Sequence, residues 1–401
     1  MIDKRIFANK RELATPRKVR VGFFASSFFE RFGSGTGKHF YLVCKLFAND
    51  FKSKIEITLF CNNNEQYLSL KKNPEFFNAN IILLPNVRGN WLKSSRQYFK
   101  YALKSKKNVV DIIHFSTPRF YPFFWLFPAR KFVCTFHAGG DITAEKDNFI
   151  LSRTIYNYTA KIFYRKLNSI IAVSEIGKQE ISDSYGVPLN LIKVIHVGTN
   201  DIWRITPKKL QSIKPNNKIL VVVIGRWQKY KNVQYVANVI SESNEMELKK
   251  FYFVFVGKKI TSNSKLITKI LENVDSKFYT TIEYLNDVDY CSIVAMADVV
   301  IVPSVNEGFS HPVFDAFSFG TRVIFHSPSP AAQILEGRQG VFTCNFNDSN
   351  NLLKLIDEAV QSPKADLQQN RNFLSSIEAT WEDVAKNYFK VYKDLVQKSS
   401  F

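Results

Sequence analysis

Two successive series of short apolar runs, each alternating with amphipathic stretches, constrain the fold of this chain more than any other feature. Apolar runs of about four to eight residues that alternate with helical stretches are typical of a parallel sheet covered by helices. The first series predicts strands at Val19–Ala25, Ile55–Phe60, Asn80–Leu84, Asp111–Phe115, Phe132–Phe136, Ser169–Val173 and Leu191–Ile195. The second predicts strands at Lys218–Ile224, Phe251–Val256, Tyr279–Ile282, Asp298–Val302 and Thr321–Phe325. The predicted fold class is therefore α/β, with two parallel sheets.

A poorly patterned segment separates the two series. Residues His196–Asn217 carry Gly198, Pro207 and Pro215 with little periodicity, which is typical of a linker. A chain of 401 residues can hold two domains of ordinary size. We therefore expect a first domain over residues 1–199 and a second over residues 200–379. Helices are predicted at about Thr36–Asn49, Trp91–Lys106, Asn148–Leu167 and Ser174–Ser184, and from Glu378 onward.

Composition excludes several classes of protein. A hydrophobic content of 45% is that of a globular chain rather than a disordered one. No run of about 18 uncharged apolar residues occurs, so the sequence predicts no membrane-spanning helix. The polar start at Met1–Arg20 is followed by no small-residue cleavage pattern, which argues against a signal peptide. The five cysteines form no Cys-x-x-Cys pair and are expected to be buried and reduced, as in a cytosolic protein.

The charge of the chain is unevenly distributed. Residues 1–200 hold 31 basic and 14 acidic residues, a net charge of +17, out of +20 for the whole chain. No acidic residue lies between Glu75 and Asp111. Within this stretch, spacings of three and four place a group of cations, the basic face, on one side of a predicted helix: Lys93, Arg96, Lys100, Lys104 and Lys107. The basic face is either ordinary solvated surface or a surface that docks on anionic lipid.

One segment of the second half combines two acidic residues with a turn and a helix. It reads Glu307-Gly-Phe-Ser-His-Pro-Val-Phe-Asp315 and continues as Ala316-Phe-Ser-Phe-Gly320. A short apolar strand precedes this segment and another follows it. The predicted unit is a strand, a turn, a helix and a strand. Its turn presents backbone N–H groups at a helix N-terminus, where anions bind well.

This segment resembles the donor-site signature of the family 4 glycosyltransferases, which are retaining enzymes of the GT-B fold. Asp315 stands where the family pattern has a second glutamate, and Arg322 stands in place of a proline. A second match lies upstream, where Val223-Ile-Gly-Arg-Trp-Gln-Lys-Tyr-Lys-Asn232 resembles the family's strand ending in Gly-Arg and followed by Lys-Asn. Two matches in the right order are far more specific than either one. The residues of the first match are Glu307, Gly308, Phe309, Pro312, Ala316, Gly320, Val323 and Ile324.

The resemblance implies a donor-binding site for a nucleotide sugar. Arg226 and Lys231 would hold the diphosphate and neutralise the charge that develops on the leaving group. Glu307 would accept hydrogen bonds from hydroxyls of the donor sugar, and Asp315 would contact the ribose. Leu285 corresponds to the loop that brackets the nucleobase. The full set implied to bind the donor is Gly35, Gly37, Arg226, Lys231, Leu285, Glu307, Gly308, Phe309, Ser310 and Asp315.

The resemblance also brings residues of the first domain to the site. Gly35 and Gly37 match the family's glycine-rich turn, although a tight turn that caps a helix would have the same sequence. His137 ends a predicted strand and is implied to lie near the anomeric carbon, so it is a candidate catalytic residue together with Glu307. His114 ends the preceding strand and is expected to be structural. No Asp-x-Asp and no metal-ligand spacing of histidines occurs, so neither a catalytic metal nor another cofactor is expected.

The implied architecture is GT-B, with two Rossmann-like domains whose parallel sheets face a central cleft, and with a last helix, residues 380–401, that crosses back to the first domain. The implied function is retaining transfer of a hexosyl group from a UDP-, GDP- or dTDP-sugar to a glycan or lipid-linked acceptor in the biosynthesis of a surface polysaccharide or lipopolysaccharide. We expect a cytoplasmic protein that docks peripherally on the inner, anionic face of the membrane.

Two alternatives stay open at the sequence level. The departure at Asp315 suggests a non-catalytic GT-B homologue that is the partner of a transferase. The charge of the first half suggests a basic nucleic-acid-binding protein. That second class needs a groove-entering helix or a stacking platform, and the sequence indicates neither, so no nucleic acid is expected as a partner.

Overall fold

The computed structural model describes residues 17–25, 35–61, 63–84, 110–115, 129–137, 164–199, 205–208, 215, 217–258, 262–347, 351–377 and 380–397. The predicted helix Trp91–Lys106 with its basic face lies outside these residues, as does all but the end of the predicted helix Asn148–Leu167. Both helices therefore stay predictions, as do the linker at His196–Asn217 and the domain boundaries.

A seven-stranded sheet occupies the first half of the chain. Its strands are β1 (Val19–Phe24), β2 (Ile55–Cys61), β3 (Asn80–Leu83), β4 (Val110–Phe115), β5 (Ala129–Phe136), β6 (Ser169–Ala172) and β7 (Ile192–Val194). The strand order is β3-β2-β1-β4-β5-β6-β7, and every pairing is parallel. The helices described in this half are α1 (Gly35–Asn49), α2 (Asn64–Lys72) and α3 (Glu175–Tyr185).

A six-stranded sheet occupies the second half. Its strands are β8 (Ile219–Ile224), β9 (Phe251–Val256), β10 (Tyr279–Ile282), β11 (Val299–Val302), β12 (Arg322–His326) and β13 (Val341–Cys344). The order is β10-β9-β8-β11-β12-β13, again with parallel pairing throughout. The helices are α4 (Val233–Glu242), α5 (Glu245–Leu248), α6 (Ser262–Leu271), α7 (Asp287–Met296), α8 (His311–Ser318), α9 (Pro330–Leu335), α10 (Leu352–Gln361), α11 (Leu367–Ser376) and α12 (Trp381–Gln397).

Local sequence explains why these elements form. The central strand β8 reads Ile-Leu-Val-Val-Val-Ile, and its residues are buried from Leu220 onward, as expected for a strand covered on both faces. Helix α7 begins after Asn286, whose side-chain oxygen accepts a hydrogen bond from the backbone N–H of Asp289 at 2.9 Å. Helix α3 ends at Gly186 in the left-handed conformation, with a φ of 67°. Every predicted strand is present, with ends that differ by a few residues, and the α/β class is confirmed.

The chain crosses from one side of each sheet to the other at its centre. Strand β1 lies between β2 and β4, and β8 lies between β9 and β11. Such topological switch points open a crevice outside the carboxyl ends of the strands, where ligands of open α/β sheets bind. The fold thus provides one such position in each half of the chain.

Helix α12 returns to the first half and packs against α1 and β1. Tyr388 and Tyr392 of this helix are fully buried, and Trp381 at its start contacts Gly198, which follows the first sheet. A Cβ at Gly198 would lie 2.5 Å from the indole of Trp381, so this approach requires glycine. Among the residues that the structure describes, no helix combines the length and the apolar character needed to cross a membrane.

Candidate functional site

Two predicted donor ligands meet at the switch point of the second sheet. Strand β8 ends at Ile224 and is followed by Arg226 and by a 3₁₀ turn that carries Lys231. Strand β11, its neighbour in the sheet, is followed by the loop that carries Glu307. The Lys231 ammonium and the Glu307 carboxylate form an ion pair, with 16% and 14% of their side chains exposed. Because both side chains are mostly buried, salt screens the attraction between their charges less than it does for an exposed pair.

Tyr230 connects the two cations of this site, and the sequence analysis missed it. The guanidinium of Arg226 donates a hydrogen bond to the Tyr230 hydroxyl at 2.8 Å. The Lys231 ammonium lies 5.2 Å from the centre of the Tyr230 ring, within the range of a cation–π contact. The backbone N–H of Val305 donates to the Tyr230 carbonyl at 3.2 Å, which ties the turn to the loop that carries Glu307. One residue therefore positions both cations relative to the acid.

The start of helix α8 carries a buried hydroxyl group. Ser310 precedes the helix in the left-handed conformation, with a φ of 73°, and its side-chain oxygen makes no hydrogen bond to the residues that the structure describes. Phe309 is buried and stacks on Phe314 at 4.3 Å between ring centres, which fixes the path of the turn. A buried, unsatisfied hydroxyl at a helix N-terminus is suited to an anion or a ligand hydroxyl.

Asp315 lies about one turn into helix α8 and is 3% exposed. Its Oδ2 atom accepts a hydrogen bond from the Tyr290 hydroxyl at 3.0 Å. Burial, reinforced by the charge of Asp315, raises the pKa of Tyr290 well above its usual value, so the phenol keeps its proton. Leu285 is half-buried in the segment between β10 and α7, the helix that carries Tyr290.

Arg322, the other departure from the family pattern, has a structural environment. Its side chain is buried at the start of β12, and its Nε donates to the carbonyl of Ser362 at 3.1 Å. The guanidinium therefore fixes the chain after helix α10 against the second sheet. It does not take part in the contacts among Arg226, Lys231 and Glu307.

The loop that carries Glu307 also contacts the first half of the chain. A Cβ placed on Gly308 would lie 1.8 Å from the backbone carbonyl oxygen of His137, at the end of β5. His137 is half-buried, and its Nε2 is inaccessible and has no hydrogen-bond partner among the described parts of the chain. Burial lowers the pKa of His137 to about 3, so the imidazole is neutral near pH 7.

His137 borders a buried polar cluster that joins α1, β4, β5 and α12. The rings of His39 and His137 are 5.0 Å apart, and the Tyr388 hydroxyl lies 3.1 Å from Nε2 of His39. The hydroxyls of Tyr388 and Thr135 are 2.9 Å apart, and Thr135 Oγ1 is 2.8 Å from Nε2 of His114. The Tyr392 hydroxyl forms a hydrogen bond with Nδ1 of His114. Because all these groups are buried, the cluster fixes the returning helix against the sheet.

The structure thus brings several predicted site residues together. Arg226, Lys231 and Glu307 share one set of contacts, and Gly308 meets His137. Gly35 is the first residue of α1 and Gly37 is buried in its first turn. The basic face lies outside the described residues. Within the part of the chain that the structure describes, no three His, Cys, Asp or Glu side chains are grouped so that they could hold a metal ion.

The chain has two parallel sheets, each covered by helices. Candidate ligands lie at the switch point of the second sheet, and a histidine at the end of a strand of the first sheet lies beside their loop. This arrangement defines the GT-B class of fold. A family model described as glycosyl transferases group 1 matches residues 205–373. A second model, described as glycosyltransferase family 4, matches residues 33–201. The two matches together cover most of the chain. The chain therefore belongs to glycosyltransferase family 4.

Comparison with individual proteins supports the same fold. A crystal structure of HepE from Anabaena in complex with UDP and glucose has a TM-score of 0.70 at 14% identity, over 94% of this chain and 100% of that one. WaaG, described as a glycosyltransferase involved in lipopolysaccharide biosynthesis, has a TM-score of 0.66 at 12% identity, over 93% and 99%. An uncharacterised 41.2 kDa protein in the cps region of Klebsiella pneumoniae is 23% identical over 250 residues, 60% of this chain. The chain spans 65% of the length of that curated relative.

Proposed function

We propose that the protein is a retaining glycosyltransferase that moves a hexosyl group from a nucleotide sugar to a glycan or lipid-linked acceptor. The observation that carries the proposal is the Lys231–Glu307 ion pair beside Arg226, at the switch point of the second sheet and next to the end of β5. A pair of cations suits a diphosphate, and an acid beside them suits the hydroxyls of the attached sugar. The close approach of Gly308 to His137 brings the loop that carries Glu307 next to the end of β5.

Each residue has a role in the proposed reaction. Arg226 and Lys231 bind the diphosphate and stabilise the negative charge that grows on it as the bond to the anomeric carbon breaks. Glu307 accepts hydrogen bonds from the sugar and holds Lys231 in place. The neutral imidazole of His137 borders the sugar and can hydrogen-bond to a hydroxyl without drawing the diphosphate away from the cations. Retention then follows front-face attack by the acceptor in an ion-pair-like transition state, with no enzymatic nucleophile and no catalytic metal.

The relatives support a choice of first substrates. HepE was crystallised with UDP and glucose, which favours a UDP-sugar as the first donor to try. WaaG is involved in lipopolysaccharide biosynthesis, which favours a surface glycan or its lipid-linked precursor as the acceptor. Such an acceptor would be elongated at the inner face of a membrane, and the basic face would dock the protein there.

A donor panel tests the proposal. The 401-residue chain would be mixed with UDP-, GDP- and dTDP-sugars, and both thermal shift and release of free nucleotide would be followed. A donor at 100 times its dissociation constant stabilises a protein by about 2.7 kcal/mol, which is a readily measured shift. We expect binding and slow hydrolysis with one nucleotide class.

The two alternatives predict different outcomes in the same assay. A non-catalytic homologue would bind a nucleotide sugar yet release no nucleotide, with or without added glycan acceptors. A nucleic-acid-binding protein would be stabilised by DNA or RNA at moderate salt and by none of the nucleotide sugars. Either result would remove the proposed activity.

A further inference from the structure

The hydrogen bond between Tyr290 and Asp315 joins two helices at a position where the family pattern has a longer acid. The Tyr290 hydroxyl donates to Oδ2 of Asp315 at 3.0 Å, and the carboxyl group is buried. An aspartate is one methylene shorter than a glutamate, which withdraws its oxygens by about 1.5 Å. In this chain the shortened acid meets a phenol hydroxyl.

The direction of this hydrogen bond determines whether the phenol can donate to a ligand or accept from it. The phenol carries one proton, and a carboxylate can only accept, so the proton of Tyr290 is directed at Asp315. The phenol oxygen keeps lone pairs that accept hydrogen bonds. A vicinal diol has two O–H donors and is recognised by two acceptors side by side. An acid and an adjacent tyrosine oxygen provide such a pair.

Tyr290 belongs to the half of the chain that carries the other residues implied to bind the nucleotide. Leu285, implied to bracket the base, precedes it in the chain, and Arg226 and Lys231 follow strand β8 of the second sheet. Burial raises the pKa of Cys291, the residue after Tyr290, to about 11, while the charge of Lys38 acts in the opposite direction. Because Lys38 lies in the first turn of α1, this part of α7 is within electrostatic reach of the first half of the chain.

We propose that Tyr290 and Asp315 together recognise the ribose diol of the bound nucleotide, with the Tyr290 oxygen accepting from the 2′-hydroxyl and Asp315 from the 3′-hydroxyl. The inference rests on the proposed function, since it requires a nucleotide at this site. It makes Tyr290 a specificity-determining residue that distinguishes ribonucleotides from deoxyribonucleotides. A tyrosine that only neutralises a buried carboxylate would have no such effect.

The test compares ribose and deoxyribose ligands on the 401-residue chain. Calorimetry would give the affinities of the nucleoside diphosphate selected by the donor panel and of its 2′-deoxy analogue. The wild type should prefer the ribonucleotide by about tenfold, the size of one neutral hydrogen bond. The substitution Tyr290→Phe should remove most of this preference by weakening the ribonucleotide alone. In Tyr290→Phe/Asp315→Glu the longer acid reaches the diol by itself, and the preference should return.

One control and one further variant of Tyr290 separate ligand recognition from folding. Tyr252→Phe alters a half-buried tyrosine of β9 and should leave the preference as in the wild type. Replacement of Tyr290 by 3-fluorotyrosine keeps the shape of the ring, strengthens the phenol as a donor to Asp315 and weakens it as an acceptor. It should therefore weaken the ribonucleotide about threefold and spare the deoxyribonucleotide, an effect smaller than the loss of the whole hydrogen bond. This variant decides the question if the phenylalanine variant does not fold.

The outcomes distinguish the inference from the function on which it rests. If the wild type binds no nucleotide, the proposed function fails, and the role of Tyr290 fails with it. If the wild type binds nucleotides but the ribose preference is the same in wild type, Tyr290→Phe and the fluorotyrosine variant, only the role of Tyr290 is overturned. An equal loss of affinity for both ligands in Tyr290→Phe would likewise show that Tyr290 stabilises the fold and does not bind the ribose.

Discussion

The backbone carbonyl of His137 leaves no room for a side chain at Gly308. A Cβ built on that glycine would lie 1.8 Å from the carbonyl oxygen and 3.3 Å from a methyl group of Val173. Because the conformation of Gly308 is not left-handed, close approach rather than backbone strain requires glycine here. The loop carrying Glu307 is therefore fitted to the end of β5, and this contact sets the distance between the donor site and His137.

The substitution Gly308→Ala should keep the two halves from meeting as they do here. The new methyl group would collide with the backbone carbonyl of His137, which cannot move aside as a flexible side chain could. We expect donor hydrolysis and sugar transfer to fall by at least about tenfold, since a displacement of about 1 Å can cost a hundredfold in rate. Affinity for the free nucleotide should change much less, because its predicted ligands lie in the second half. Calorimetry and a steady-state assay together check this.

Gly337→Ala is the matched control for that substitution. Gly337 has a φ of 81°, and no atom of the described residues lies within 4 Å of the position of a Cβ. Alanine there is strained but meets no neighbour, so thermal stability should fall while activity per folded molecule stays near the wild-type value. Wild-type turnover in Gly308→Ala would contradict the fitted contact.

Lys231→Ala and Glu307→Ala should each lower turnover by about a hundredfold or more. Oriented charge that stabilises a developing anion is typically worth that much, and both residues follow strand ends rather than forming the core. Because the two side chains contact each other, their effects should not add in the double variant. Donor turnover and melting temperature would be measured for all three proteins. Near-wild-type turnover in either single variant would show that the donor site lies elsewhere.

Tyr230→Phe separates the two contacts of that residue. It removes the hydroxyl that accepts from Arg226 and keeps the ring beneath Lys231. We expect about a tenfold weaker affinity for the nucleoside diphosphate, from the loss of one charge-assisted hydrogen bond. Tyr230→Leu removes both contacts and should weaken binding further. The nucleoside without phosphates should bind equally to all three proteins, and a parallel loss for the nucleoside would place Tyr230 outside the diphosphate site.

Sequence patterns predicted the features that depend on residues close together in the chain. Apolar runs located the strands, and the resemblance to the family 4 glycosyltransferases, more than position at a strand end, singled out the residues after β8 and β11. Tyr230, Tyr290 and the buried histidine cluster could not be found in this way. Their roles depend on contacts between distant segments: Tyr388 and His39 are separated by 349 positions. A tyrosine beside a lysine, or on a helix with apolar neighbours, has the same local pattern whether it binds a ligand or packs in a core.

The basic face gives a prediction about membranes. If Lys93, Arg96 and Lys100 dock the protein on anionic lipid, changing all three to glutamate should release it from phosphatidylglycerol-containing vesicles. Binding of the wild type should weaken steeply with salt, because screening shortens to about 3 Å at 1 M. Melting temperature and donor hydrolysis should hardly change, since solvated charges contribute little to folding. Vesicle binding that survives both salt and charge reversal would assign these cations to ordinary solvated surface.

The buried histidines predict a loss of stability in mild acid. Burial lowers the pKa of His137 and of His311 to about 3, and it lowers the pKa of His39 and of His114 well below the usual value. In the unfolded chain these groups titrate near pH 6.5, so between about pH 6.5 and 3 the unfolded state binds more protons than the folded state. The free energy of unfolding should therefore fall as the pH drops from 7 to 5, by an amount on the order of 1 kcal/mol per pH unit for each histidine.

Urea unfolding at pH 7, 6 and 5 checks the sign and the source of this dependence. His114→Gln removes one of the titrating groups and should give a shallower loss of stability with falling pH, whatever its stability at pH 7. Thr135→Val removes the hydroxyl that hydrogen-bonds to both His114 and Tyr388, without removing a titrating group. It should lower the stability by a similar amount at each pH. A wild-type protein whose free energy of unfolding is constant from pH 7 to 5 would mean that these histidines are already accessible to protons in the folded state.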